Sequence, residues 1–220
     1  MNHFRFEPFI DAYANQITTM IIANPGYYPF HVTKTFANPR AYPLKSVAKY
    51  LFQQNERIHI HIQSRLTTNY SRKPELFVRS FDFLDVSNTK KSFDVNLECP
   101  DAPHIHSICL IHHKTLSSFT RLRDENFASV VTYKMRSSEA DSERTIKAFP
   151  TLKTIHAEPV RIDNIRKTLS YAAKLIKNFS VQKKMNEIDF FDALPNPNEN
   201  SYRPNMTLRP FPRERPTNKQ

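Results

Sequence analysis

A single glycine in 220 residues, Gly26, narrows what this chain can build more than any other feature of it. Glycine adopts left-handed backbone angles without strain and lets a backbone approach a ligand closely. A phosphate-cradling P-loop and a dinucleotide-binding turn each need several glycines at fixed spacing. Both are therefore excluded, and with them nucleotide-hydrolysing motors and dinucleotide folds of the usual kind. Turns fall to Asn, Pro and Ser instead, as in Asn24-Pro25-Gly26, Asn38-Pro39 and Ser87-Asn88-Thr89.

The length fits one domain with an extra tail and is enough for a real core. A formal net charge of +11 favours a polyanionic partner. No apolar run approaches a membrane span, and the first residues lack the basic-then-apolar pattern of an export signal. Cys99 and Cys109 are the only cysteines. They are too far apart for a metal knuckle and offer no disulfide framework, so a reducing cytoplasm is expected.

Residues 7–23 have helical spacing. Phe30-His31-Val32-Thr33-Lys34-Thr35-Phe36 alternates and reads as a strand. Apolar residues at three and four from Leu44 to Leu66 predict a long helix over about 43–69. Leu76 to Val86 reads as a strand, and Phe93 to Glu98 as another. Cys99-Pro100-Asp101-Ala102-Pro103 makes a short connection into a further strand ending near Ile111. A helix is expected over 115–135, a polar loop over 136–145, a strand over 154–160 and a helix from the N-cap Asp163 to about Phe179. A short helix is expected near 182–192. Residues 195–220 hold Pro195, Pro197, Pro204, Pro210, Pro212 and Pro216 of the chain's 16 prolines and few large apolar residues. Such composition predicts disorder. Locally paired strands with helices between them predict an α+β domain on an antiparallel sheet.

Chemistry concentrates in two places. On a strand, His104 and His106 project from one face while Ile105 points to the other. Two neutral imidazoles can bind a divalent ion if a neighbouring element supplies a third ligand. A hairpin between 93–98 and 104–111 would set Glu98 opposite His104, on the same face. Glu98 is then the third ligand, with Asp94 in reserve and Asp101 a weaker choice. Mixed imidazole and carboxylate ligation suits Mg²⁺ or Mn²⁺ and in isolation would also take Zn²⁺ or Co²⁺. His59-Ile60-His61 repeats the tripeptide inside the long helical pattern, where positions two apart diverge by about 200° and make poor co-ligands. His112 and His113 are expected at the surface, where the strand ends.

The second place is Tyr171-Ala172-Ala173-Lys174, with a tyrosine and a lysine on one side of a helix away from its apolar stripe. A phenol has an ordinary pKa of about 10, so attack on a phosphodiester needs a nearby cation or a metal-polarised phosphate.

Taken together, these motifs resemble the HUH endonucleases, in the branch of rolling-circle replication initiators. Phe30 to Phe36 looks like that branch's first motif, Pro103 to Leu110 like its His-hydrophobe-His motif, and Tyr171 to Lys174 like its tyrosine motif, in the family's order. The likeness spans about 28–180. It implies a five-stranded antiparallel sheet flanked by helices within a nuclease domain over 1–193, followed by the tail at 194–220. It implies site-specific nicking of single-stranded origin DNA of a plasmid or phage, with the 5′ phosphate left on Tyr171. His104 and His106 are then ligands for Mg²⁺ or Mn²⁺, Tyr171 the nucleophile and Lys174 its helper, with Glu98 as the acidic ligand. No helicase motif accompanies them, so a host helicase is the expected partner. Single-tyrosine transposases usually carry a glutamine four residues after the tyrosine, where this chain has Leu175.

Two other classes compete. A two-histidine phosphoesterase needs two His-x-Thr/Ser strands and uses no metal; His31-Val32-Thr33 fits one copy, while His104-Ile105-His106 lacks the second hydroxyl. A basic nucleic-acid-binding protein without catalysis would bind with strong salt dependence and be indifferent to Tyr171.

Overall fold

The computed structural model describes residues 5–23, 25–37, 43–86, 103–136, 143–177 and 189–195. Glu98, Asp94, Asp101, Cys99 and the tail from 196 onwards lie outside these. Among the described residues no helix is long and apolar enough to cross a membrane.

Helix α1 (Phe6–Ala23) leads into β1 (Tyr27–Phe36) through the turn at Gly26. A Cβ at Gly26 would meet the exposed His113 imidazole, which would have to move aside to admit it. The long helix α2 (Leu44–Leu66) follows, then β2 (Arg79–Asp85). Strand β3 (His104–His112) runs straight into α3 (His113–Asp124). The expected helix over 115–135 is interrupted: Asn126 and Phe127 take positive φ, 51° and 54°. A short α4 (Ala128–Val131) gives way to β4 (Thr132–Arg136), which pairs with β5 (Glu143–Lys147). Strand β6 (Leu152–Pro159) and helix α5 (Ile165–Ala172) come next, then β7 (Phe191–Leu194); the helix expected near 182–192 lies mostly outside the described residues, and its last two positions, Phe191 and Asp192, belong to β7.

The fold is α+β, with a five-stranded antiparallel sheet flanked by helices. Its strand order is β6-β1-β3-β2-β7. One face is covered by α1 and α5. Phe9 and Tyr13 of α1 meet Phe83 edge-on, with Phe191 of β7 beside them. Helix α1 buries Phe6, Ile10, Ala14, Ile17 and Ile21, spaced three and four apart. Each fully buried isoleucine among them contributes roughly 1.5–3 kcal/mol of transfer free energy.

The other face is covered by α2 and α3. Phe30 packs on Phe119, and Gln63 accepts a hydrogen bond from the Val78 N–H at 2.7 Å. Lys34 is buried there at 1% exposure. Its Nζ donates to Asn55 Oδ1 at 2.6 Å and Ser107 Oγ at 2.8 Å, and stands 3.7 Å from Asp82 Oδ1. A charge so placed persists only because this cage replaces its water. His59, also buried on this face, is held neutral: burial lowers its pKa to about 4 against the pull of Asp82. His61 instead meets the Phe149 ring, so α2 does send the two histidines to different neighbours.

One expectation about the sheet is overturned. Strand β3 pairs with β1 along one edge and with β2 along the other, each over the whole stretch from His104 to Leu110. No edge is left for residues 93–98, so the hairpin that set Glu98 opposite His104 does not form. The residue opposite His104 on β2 is Asp85.

Candidate metal and tyrosine site

Antiparallel pairing places Asp85 of β2 directly across from His104, and the strand period brings His106 to the same face. Three ligand atoms converge there. His104 Nε2 stands 3.1 Å from Asp85 Oδ2, and His106 Nε2 stands 3.4 Å from the same oxygen. Among the described residues this is the one group of three or more His, Cys, Asp or Glu side chains whose ligand atoms gather closely enough for a metal, all within 4.8 Å. With metal–ligand bonds of about 2.0–2.2 Å, neighbouring donors of one ion lie about 3–3.4 Å apart. The two distances to Asp85 Oδ2 match. Moreover, His106 Nε2 is buried and makes no hydrogen bond, so its contact with Asp85 is a juxtaposition of donor atoms and not a satisfied pair. A buried Asp/His/His cluster able to hold a metal ion is therefore present.

The electrostatics agree. Burial by itself raises the Asp85 carboxyl, but the nearby imidazoles of His104 and His106, the charge of His104 and the Lys174 ammonium outweigh it. Together they hold the group well below the usual carboxylate range, so it stays ionised. Burial lowers His106 despite its contact with Asp85, and His104 and Lys174 add to the effect. A neutral imidazole is the form that ligates.

Which nitrogen of His106 faces the cluster is set from behind. Its Nδ1 lies 3.2 Å from Thr33 Oγ1 and 3.2 Å from His31 Nε2, both on β1. If Nδ1–H donates to either acceptor, Nε2 keeps its lone pair for a metal. His31 stacks on His106, with ring centroids 5.2 Å apart at 22°. Burial and the neighbouring His106 bring the His31 pKa down to about 4, so it is neutral too. Thr33 and His31 thus support a ligand, a role their place in the threonine-bearing strand did not reveal.

Helix α5 delivers the tyrosine. Its buried side, Ile165, Leu169 and Ala172, packs on the sheet. Tyr171 turns its ring to His106, centroids 5.2 Å apart, and to His31, 5.9 Å apart. It keeps 38% exposure, so the ring lies against the cluster and still meets solvent. Lys174 sits in the single 3₁₀ turn after α5. Its ammonium reaches Asp85 Oδ2 at 2.8 Å and lies 5.0 Å from the centre of the Tyr171 ring. The structure thus brings Tyr171, Lys174, His104 and His106 together around Asp85, which sequence reading had passed over. The signal was in view: Asp85 ends a strand that alternates through Phe81, Phe83 and Asp85.

His112 and His113 stand apart from this cluster. The His112 ring accepts from the Lys114 N–H at the start of α3. No family model matches the chain, and no curated protein or solved structure does either.

Proposed function

We propose that this protein is a metal-dependent endonuclease and strand transferase of the HUH type. It nicks single-stranded DNA at a specific site, keeps the 5′ phosphate on Tyr171, and so initiates rolling-circle replication of a plasmid or phage. The observation that carries this reading is the contact of Tyr171 with His106. A tyrosine far along the chain packs against an acid–histidine cluster and remains open to solvent.

In the reaction, Tyr171 Oη forms a bond to phosphorus and the P–O3′ bond breaks. The phenol proton leaves to solvent, and the departing oxygen takes one up to become a 3′ hydroxyl. That end is a primer, and the tyrosyl ester conserves the bond energy for rejoining. Asp85, His104 and His106 are the residues that would hold Mg²⁺ or Mn²⁺, a choice that suits imidazole with carboxylate. Bound there, the ion supplies Lewis-acid polarisation of the phosphodiester. Lys174 places a positive charge beside the Tyr171 ring, where it would steady the anionic phosphate. His31 and Thr33 orient His106. The net charge of +11 favours a polyanionic strand, and a host helicase would open the duplex.

The metal-free two-histidine reading draws no support from the geometry. His31 Nε2 and His106 Nδ1 are 3.2 Å apart, which leaves no room for a phosphate between the two rings.

The test is incubation with labelled single-stranded oligonucleotides and Mn²⁺, resolved on a denaturing gel. A covalent protein–DNA adduct should form and be lost in Tyr171→Phe. Nicking that persists unchanged in that variant sinks the assignment. His104→Ala with His106→Ala should abolish metal-dependent cleavage and spare much of the salt-sensitive binding, whereas a purely binding protein forms no adduct at all.

A further inference from the structure

Across Tyr171 from the acid–histidine cluster, the same sheet face opens into a cleft of about 710 Å³. Small-molecule sites span roughly 300–1,000 Å³. Its floor is the sheet margin. Glu158 of the edge strand β6 stands opposite His31, and His156 opposite Thr33, so all four side chains share that face. Its other wall is α5, where Lys167 lies one helical turn before Tyr171 on the same side.

The lining has the chemistry of one nucleotide. Pro159 and Val160 offer apolar surface. Arg161 is tied to Asp163 by two contacts of 3.2 Å, which leaves Lys167 as the cation of this cleft with no ion pair among the described residues. His156 Nε2 lies 3.0 Å from Glu158 Oε1 and steadies the carboxylate at the cleft wall.

We propose that this cleft holds the unpaired nucleotide immediately 3′ of the nick, with Glu158 accepting from the exocyclic amino group of a cytosine or adenine and Lys167 against a phosphate. The proposal rests on the strand-nicking reading. In an in-line displacement the departing O3′ lies opposite the attacking phenol oxygen. The nucleotide that stays on the tyrosine leaves phosphorus to one side, between those two oxygens. With the metal cluster on one flank of Tyr171, the cleft on the other flank takes that retained nucleotide. A carboxylate accepts well from the exocyclic amino group of cytosine or adenine, whereas unpaired thymine offers only its N3–H, flanked by two carbonyl oxygens that repel the approaching carboxylate. An unpaired base offers both amino hydrogens, whereas in a duplex one is already committed to its partner.

The test is binding by fluorescence anisotropy, with short homopolymers of deoxycytidine, deoxyadenosine and deoxythymidine, on full-length Tyr171→Phe protein, which cannot react. Deoxycytidine and deoxyadenosine strands should bind about tenfold more tightly than deoxythymidine. Glu158→Gln added to that background should bring the three together, without a change in melting temperature. Lys167→Ala should weaken all three alike and lower the salt slope by about one. A base preference unchanged in Glu158→Gln, or no preference at all, overturns the proposal. A companion adduct assay on the wild type separates the two readings. Adducts that form while binding ignores Glu158 overturn the cleft alone. Glu158-dependent binding without any adduct supports the nucleotide site and overturns the nicking reaction.

Discussion

Replacing Lys174 with methionine should separate metal affinity from catalysis, because in this geometry the lysine helps one and opposes the other. Its ammonium lies 2.8 Å from Asp85 Oδ2, the oxygen that also faces His104 and His106. A divalent ion bonded to that oxygen at about 2.1 Å can stand no more than about 5 Å from Nζ while the lysine stays in place. At an effective dielectric constant of about 20, a single and a double positive charge at that separation repel by about 7 kcal/mol. Lys174 has 24% side-chain exposure and a flexible stem, so it can swing aside and recover much of this. A net penalty of about 1–3 kcal/mol remains, which corresponds to roughly five- to 150-fold in affinity. Lys174→Met should therefore bind Mn²⁺ more tightly by calorimetry, and its melting temperature should rise more on adding Mn²⁺ than that of the wild type. In chelator the same variant should melt lower, since Asp85 has lost its ammonium partner. Adduct formation at saturating Mn²⁺ should fall, because the charge beside the Tyr171 ring is gone. Unchanged or weaker Mn²⁺ binding would refute the argument, since it would mean that the ammonium and the ion do not compete for Asp85.

Other outcomes follow from the same contacts. Thr33→Val combined with His31→Ala should weaken Mn²⁺ binding about 10–100-fold by freeing the Nδ1 side of His106, and an unchanged titration would show that its tautomer is set elsewhere. On the opposite face, Lys34→Met should cost about 3–5 kcal/mol in urea unfolding by stranding buried Asp82, and Lys34→Met with Asp82→Leu should restore most of it; a single variant as stable as the wild type would count against the cage. Asp192 gives a pH signature. Burial raises its carboxyl to about 6, against the Ala193 N–H and with help from Asp82. Because the folded pKa lies above the unfolded one, the folded state holds the extra proton, and that stability is present below about 4 and lost as pH rises through 6. Asp192→Asn should thus stabilise the protein at pH 7–8 and lose that advantage at pH 4, as denaturant melts at the two pH values can show.

The sequence displayed its long periodic elements plainly. Leu44 to Leu66 repeats at three and four for six turns, and Phe30 to Phe36 alternates; both stand where expected. What stayed hidden was decided by distant partners. Residues 87–102 separate β2 from β3, and no local pattern says that Asp85, not Glu98, meets His104. Lys34 looks like an outward-facing residue of an alternating strand until Asn55, Ser107 and Asp82 are seen around it. Likewise β7 is four residues long, too short for periodicity to register, and is specified by pairing with Ser80 to Phe83. The tyrosine and its lysine were legible as a pair, but the carboxylate that joins them to the histidines was not.

The strand order has a consequence for when the site can exist. Asp85 rides on β2, whose outer neighbour β7 ends at Leu194, while Tyr171 and Lys174 arrive only after β6. Phe191 of β7 then locks against Phe9 of α1, so the last of the described strands closes on the first of the described helices. A ribosome-bound chain that already displays His104 and His106 therefore has neither Tyr171 nor the finished sheet edge beside Asp85. The cluster and its tyrosine are thus brought together late in synthesis, when β7 meets α1.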